Sequence, residues 1–194
     1  MTRFDRELLE VGLRQLVARL RESGVRSGIR IVGGAALALR YFDRESTVDI
    51  DAHFIGSPDV VENAAIAIAG TNGWPDDWLN SKAAGFIPEY GSKPVEWATL
   101  HDDGAVIIEV ASPEALLAMK LKANRPGRDD ADAAKLMAIC GIATLDQAEQ
   151  LYEEHYSGEV LPHRAIRMVE MILRVGVPAV PLPQPDIDLE PRSD

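Results

Sequence analysis

Residues 29–54 read IRIVGGAALALRYFDRESTVDIDAHF, and this stretch decides how the rest of the chain is understood. Ile29 to Val32 is a short β-branched run that ends on Gly33-Gly34, and Ala35 to Tyr41 then has strongly helix-favouring composition. The order predicted is strand, glycine turn, helix. From Thr47 to Phe54 the residues alternate, which puts Thr47, Asp49, Asp51 and His53 on one strand face and Val48, Ile50, Ala52 and Phe54 on the other. One face is apolar and packs; the other carries two carboxylates.

Working outward, Leu8, Leu9, Leu13, Leu16, Val17 and Leu20 recur at helical intervals and predict an amphipathic helix over 5–22, with an arginine-rich polar face. Behind Ser57-Pro58, Asp59 to Ala69 predicts an alanine-rich helix, followed by a loop at Asn72-Gly73-Trp74-Pro75. Val95 to Leu100 and Ala105 to Ala111, joined by His101-Asp102-Asp103-Gly104, predict a hairpin whose turn uses those polar side chains. Ser112-Pro113 predicts a capped helix start and a helix to Ala123. Beyond Arg125-Pro126-Gly127, helices are expected over 129–139, 144–156 and 162–173. From Pro178 a proline-rich acidic tail has little to bury and is expected to be extended or disordered. The fold class is therefore α+β, a small mixed sheet flanked by helices (residues 1–111), then a helical subdomain (112–177) and the tail (178–194).

The chain has 194 residues, with 20 basic and 31 acidic side chains, a net charge of −11, 46% apolar content and a single cysteine. This composition excludes a disordered or collagen-like chain, and the size excludes a large multidomain enzyme. Cys140 has no partner for an intramolecular disulfide, and no CxxC pair offers a zinc site. The first residues alternate charged and apolar side chains, and no apolar run approaches the roughly 20 residues of a bilayer span, so a cytoplasmic protein without membrane attachment is expected. The acidic balance disfavours a generic nucleic-acid coat. Basic residues nevertheless concentrate at Arg3, Arg6, Arg14, Arg19, Arg21, Arg26 and Arg30, and again at Lys120, Lys122, Arg125 and Arg128, where they offer contacts to RNA phosphates or a solvated face.

The chemistry-bearing constellation is Gly33-Gly34 beside Asp49 and Asp51. Glycines let backbone approach a ligand closely, and N–H groups at a helix start attract anions. Two carboxylates one strand period apart, roughly 6–7 Å along the backbone, can converge on divalent cations of the kind that support in-line displacement at phosphorus. Neither GxxxxGK[ST] nor GxGxxG occurs, which excludes those two phosphate-binding patterns. Trp74, Trp78 and Trp97 are assigned to packing, His53 to a structural hydrogen bond, and Cys140 to a buried thiol.

GGAALALRYFDRESTVDIDAHF, residues 33–54, resembles the signature of the DNA polymerase β-like nucleotidyltransferase superfamily, in which a Gly-Gly or Gly-Ser helix start precedes a strand bearing Asp-x-Asp. SPEALLAMKLKANRPGRDDADAAKLM, residues 112–137, resembles the lysine helix and Arg-Asp-x-x-Asp segment of its AbiEii/MenT branch, the nucleotidyltransferase toxins of bacterial toxin–antitoxin systems. The resemblance spans roughly 30–160 and implies a nucleotidyltransferase fold. It implies that Gly33 and Gly34 hold nucleotide phosphates, that Thr47, Asp49 and Asp51 line a Mg2+ or Mn2+ site, and that Lys120 approaches the triphosphate. Asp129 or Asp132 would complete the catalytic set. A third metal carboxylate, common in that superfamily, is not evident; Glu96 and Glu109 are its candidates. The implied activity is pyrophosphate-releasing transfer of NMP from an NTP to an RNA acceptor, the tRNA 3′ end, by a toxin silenced by a cognate antitoxin. The alternatives are transfer to a protein side chain, or a non-catalytic interaction module or antitoxin with the same fold.

Overall fold

The computed structural model describes residues 2–125 and 127–191, so Met1, Pro126 and residues 192–194 of the tail lie outside the described residues. It is α+β, and the chain divides into two compact units: Met1–Gly85, Trp97–Ala111 and Pro183–Asp194 form the first, and Phe86–Glu96 and Ser112–Leu182 the second.

The first unit holds helix α1 (Arg6–Glu22), strand β1 (Ser27–Val32), the short helix α2 (Gly33–Ala36), strand β2 (Ile50–Ile55), helix α3 (Pro58–Asn72), and strands β3 (Leu79–Asn80), β4 (Trp97–Asp102) and β5 (Val106–Ala111). These strands make a five-stranded mixed sheet in the order β3-β2-β1-β5-β4. β1 runs antiparallel to β2 and parallel to β5, while β3 is parallel to β2 and β4 antiparallel to β5. Ile29, Ile31 and Val32 of β1 and Val106, Ile108 and Val110 of β5 are fully buried, and Leu9, Leu13, Leu16 and Leu20 of α1 are likewise removed from solvent. The 3.6-residue apolar spacing of α1 thus turns one complete stripe inward. Asp5 caps this helix, its carboxylate accepting from Leu8 N–H at 2.9 Å. Phe4, Trp74 and Trp78 form an edge-on aromatic cluster, with the Trp78 indole N–H donating to the Ala65 carbonyl at 2.9 Å.

The sequence expectations shift in four places, the hairpin among them: its strands run Trp97–Asp102 and Val106–Ala111, so His101 and Asp102, expected in the turn, lie in β4. The helix predicted from Ala35 starts at Gly33, and over Leu37–Tyr41 it widens into a π-helical stretch that closes with Phe42 N–H on the Leu37 carbonyl at 3.1 Å. The strand predicted from Thr47 starts at Ile50: Thr47 instead exchanges two backbone hydrogen bonds of 2.8 Å with Phe4. The two-residue strand β3 has no periodicity from which it could be predicted. The predicted alternation holds over 49–53, where Ile50 and Ala52 are buried, Asp49 and Asp51 half-buried and His53 exposed, but not at its ends: Thr47, expected on the polar face, is buried, and Val48 and Phe54, expected to pack, are only half-buried.

The tail differs more. The described residues from Pro183 belong to the first unit, and Leu189 is 2% exposed. Arg6 donates to the Pro185 carbonyl at 2.6 Å, Arg14 to that of Asp188 at 3.2 Å, and Arg21 pairs with Glu190 at 2.8 Å. Arg40 pairs with Asp186. The arginines of α1 and Arg40 give this segment polar partners, and Leu189 within it is buried.

The second unit consists of helices α4 (Pro113–Ala123), α5 (Asp130–Cys140), α6 (Leu145–His155) and α7 (His163–Val175) together with the segment 86–96. Ser112 caps α4 through Ala115 N–H, and Thr144 and Gln147 form a reciprocal capping box on α6. Such caps satisfy helix-end N–H groups and contribute about 1 kcal/mol each. The segment 86–96 is tied to α6 by Lys93 N–H on the Glu154 carbonyl at 2.9 Å and by the Tyr156 hydroxyl, which donates to the Phe86 carbonyl. Among the described residues no helix is long and apolar enough to cross a membrane.

Candidate functional site

In the first unit the antiparallel register sets Val32 opposite Asp51, so the end of β1 brings the glycine pair beside the acidic strand. Gly33 has φ +65°, a left-handed conformation that favours glycine, and a Cβ there would stand 3.3 Å from Asp51 Oδ2. A Cβ on Gly34 would stand 2.8 Å from Thr47 Oγ1 and 3.2 Å from the Arg44 guanidinium. Gly33 is favoured by its backbone conformation and Gly34 by the close approach of Thr47 and Arg44, and Asp51 and Thr47 are the side chains predicted to share a site with them. Gly33, Gly34, Thr47 and Asp51 come together, Thr47 being buried and the other three half-buried.

Asp49 joins them through a residue that sequence reading passed over. Asn80 on β3 pairs in register with Asp51, and its Nδ2 donates to Asp49 Oδ2 at 3.1 Å. The same Nδ2 donates to the Asp77 carbonyl at 3.1 Å, and Asn80 Oδ1 accepts from Lys82 N–H at 2.9 Å. Asn80 is 8% exposed. The Lys82 side chain is 64% exposed and paired with Asp77. Its ammonium is held above the ordinary lysine value, first by the Asp77 hydrogen bond, against slight desolvation, and further by the fields of Asp77, Asp49 and Asp51. Lys82 is thus a solvent-facing cation beside the acid pair. Its only sequence signal is a lysine following Trp-Leu-Asn-Ser.

The resemblance implies Mg2+ or Mn2+ here. Two carboxylates and a hydroxyl form a hard oxygen set of the type that suits these ions. Among the described residues no group of three or more His, Cys, Asp and Glu side chains is arranged to hold a metal. Magnesium is commonly bound by one or two carboxylates plus substrate phosphates rather than by an all-protein cage, and Asp49 with Asp51 fits that manner of binding. Neither candidate for a third acid adds to it within this unit: Glu109 lies on β5, beyond β1, and pairs with Arg30 at 2.9 Å, while Glu96 belongs to the second unit.

No family model, no curated protein and no solved structure matches this chain. The site must be read from its own geometry.

In the second unit the structure brings Lys120, Asp129 and Asp132 together. Lys120 Nζ lies 2.8 Å from both Asp129 Oδ1 and Asp132 Oδ2. Asp129 also accepts from Arg125 Nε at 2.8 Å and from Arg125 N–H at 3.2 Å. Lys120 and Asp132 are each 7% exposed and Asp129 is fully buried. Burial pushes the Asp129 carboxyl upward, but the hydrogen bond from Arg125 and the charge and hydrogen bond of Lys120 outweigh it and hold the group below its ordinary value. Of the basic cluster around it, Lys122 pairs with Glu159 at 2.8 Å and sits 4.0 Å over the Tyr156 ring. A groove of about 320 Å³ in this unit is lined by Asp130, Arg164, Arg167, Met168 and Met171, none of them predicted site residues.

The remaining assignments follow the packing. Asp102 and Asp103 supply turn chemistry, with Asp103 Oδ1 accepting from Ala105 and Val106 N–H at 2.9 and 2.7 Å. Trp74 and Trp78 pack as expected, and Arg30 stacks on Trp97 at 4.9 Å. Cys140 is half-buried, with its thiol pushed up to about 12 chiefly by burial.

Proposed function

We propose that this chain is a metal-dependent nucleotidyltransferase that moves NMP from an NTP to an RNA acceptor, the 3′ end of tRNA, and acts in the cytoplasm as the toxin of a toxin–antitoxin pair. The observation that carries the reading is the apposition of Gly33-Gly34 to Thr47 and Asp51, with Asp49 hydrogen-bonded to Asn80, the β3 residue that pairs with Asp51. Two glycines that let an acid and a hydroxyl pack against the backbone, with a second acid two residues along the chain, supply oxygen ligands for a divalent ion and its bound polyanion. A bound Mg2+ or Mn2+ supplies charge neutralisation at the phosphates and lowers the pKa of an acceptor hydroxyl.

The protein's own part is positioning. Gly33 and Gly34 would lie at the triphosphate, Asp49 and Asp51 would hold the ion, and the Thr47 hydroxyl lies beside Gly34. Lys82, exposed and close enough to feel both acids, offsets charge on the departing pyrophosphate when it leaves Asp77. Lys120, Asp129 and Asp132 enter the reading through the resemblance of 112–137. The RNA acceptor and the antitoxin partner rest on the same resemblance, since Arg3, Arg6, Arg14, Arg21 and Arg30 already have partners within the chain.

The test is incubation with α-labelled NTPs, Mg2+ and total bacterial RNA. Label in small RNA, lost with Asp49→Ala, supports the proposal. Label on protein instead assigns a protein acceptor, and no label in either with folded enzyme overturns it.

A further inference from the structure

Asn80 is a buried amide with every polar group engaged around the two acids. It faces Asp51 across the β2–β3 pair and its Nδ2 reaches Asp49 Oδ2 at 3.1 Å. The orientation of the amide is dictated by its neighbours: Nδ2 meets two acceptors, the Asp49 carboxylate and the Asp77 carbonyl, while Oδ1 meets one donor, Lys82 N–H. An aspartate in this place satisfies only the donor contact and turns a carboxylate toward Asp49. An alanine leaves the Asp49 carboxylate without its Asn80 donor and leaves Lys82 N–H and the Asp77 carbonyl without their amide partner.

We propose that Asn80 is a positioning residue for divalent-ion binding at Asp49 and Asp51, fixing the Asp49 carboxylate through one oxygen and keeping the site at two negative charges. The inference rests on the proposed function, because it takes those two acids as the ion site. Hydrogen-bonding partners of ligating carboxylates commonly change metal affinity by about 10- to 100-fold when removed. Asn80 has the place, the burial and the donor geometry for that role. Its hydrogen bond to the Lys82 backbone also sets where the exposed lysine leaves the sheet, so one side chain orients both an acid and the neighbouring cation.

The experiment is a titration of the full chain with Mn2+ alone, followed by the electron paramagnetic resonance signal of the free ion, for wild type, Asp49→Ala, Asn80→Ala and Asn80→Asp. Circular dichroism confirms that each is folded. Asn80→Ala is expected to weaken Mn2+ binding by about 10- to 100-fold. Asn80→Asp loses the same donor to Asp49 while adding a carboxylate, so it reports the charge of the site and not the positioning: Mn2+ affinity is expected to rise by at least about tenfold relative to Asn80→Ala. A residue that merely supports the sheet leaves affinity unchanged in Asn80→Ala, and its loss moves thermal stability alone. Wild-type binding that is abolished by Asp49→Ala but stays within about twofold in a folded Asn80→Ala variant overturns this inference and leaves the acid site standing. Should Asn80→Ala not fold, Asn80→Ser, which also removes the amide donor without adding a charge, is held to the same two outcomes. Wild-type chain that holds no Mn2+ sensitive to Asp49→Ala overturns the acid pair as an ion site, and this inference with it.

Discussion

Two aspartate pairs in this molecule carry the same functional group into opposite situations. Asp49 and Asp51 stand half-buried at the start of β2, near glycines, a hydroxyl, the Arg44 guanidinium beside Gly34 and an exposed lysine, whereas Asp129 and Asp132 are buried against the Lys120 ammonium, with the half-exposed Arg125 on Asp129. In the second pair the cations are built in, so the acids are neutralised before any ligand arrives. In the first, the nearby lysine is 64% exposed and leans on a different acid, Asp77. A motif of acids and lysines therefore does not state its role until burial and existing partners are known.

The largest effect separating the two regions is expected from Asp129→Ala. Removing this carboxylate strips a buried ammonium and a guanidinium of a partner, a change worth about 3–5 kcal/mol, and urea unfolding checks it. Loss of transfer at an unchanged midpoint would instead give the triad the chemical role that the resemblance implies. Asp49→Ala is expected to do the reverse, reducing turnover by at least about 100-fold, or about 2.7 kcal/mol, while moving the unfolding midpoint little. Labelled-transfer rates beside melting curves read both quantities.

Gly34→Ala sharpens the contrast at the open site. The new methyl meets Thr47 Oγ1 at 2.8 Å, an overpacking cost of about 1–3 kcal/mol. Pairing it with Thr47→Ala should recover part of the loss, since contacting residues couple; strict additivity would show that the two do not touch.

Acid titration gives a smaller effect. Because the folded carboxyl of Asp129 is held below its unfolded value, its contribution is fully present above about pH 4 and is lost as pH falls through the unfolded value toward the folded one. Wild type should lose stability on acidification in that window, and Asp129→Asn should flatten the dependence. Smallest of all, the half-buried Cys140 thiol, pushed up to about 12, should react with iodoacetamide at pH 8 far more slowly in folded than in urea-unfolded chain.

How much of this was legible in the sequence depended on whether a residue's partner was local. The alternation through Ile50, Asp51, Ala52 and His53 is a local signal and correctly separated the acidic from the buried face. Ser112 and Thr144 announce helices through contacts only three residues away. Asn80 was invisible because its meaning lies in Asp49, 31 residues earlier in the chain, and because a two-residue strand has no period. Leu189 was hidden in the same way: a single apolar residue in a proline-rich tail looks unburied until the arginine face of α1 is seen to bind the backbone around it. The lysine helix was found, but side-chain chemistry alone did not reveal that Lys120 would be enclosed by the two aspartates named beside it.

Calorimetric titration of the full chain with each of the four NTPs in the presence of Mg2+, for wild type and Asp51→Ala, tests the central claim most directly. The account predicts saturable one-site binding of at least one NTP that requires Mg2+ and is lost in a folded Asp51→Ala variant. Absence of binding to wild type by all four, or undiminished binding to the variant, would contradict it.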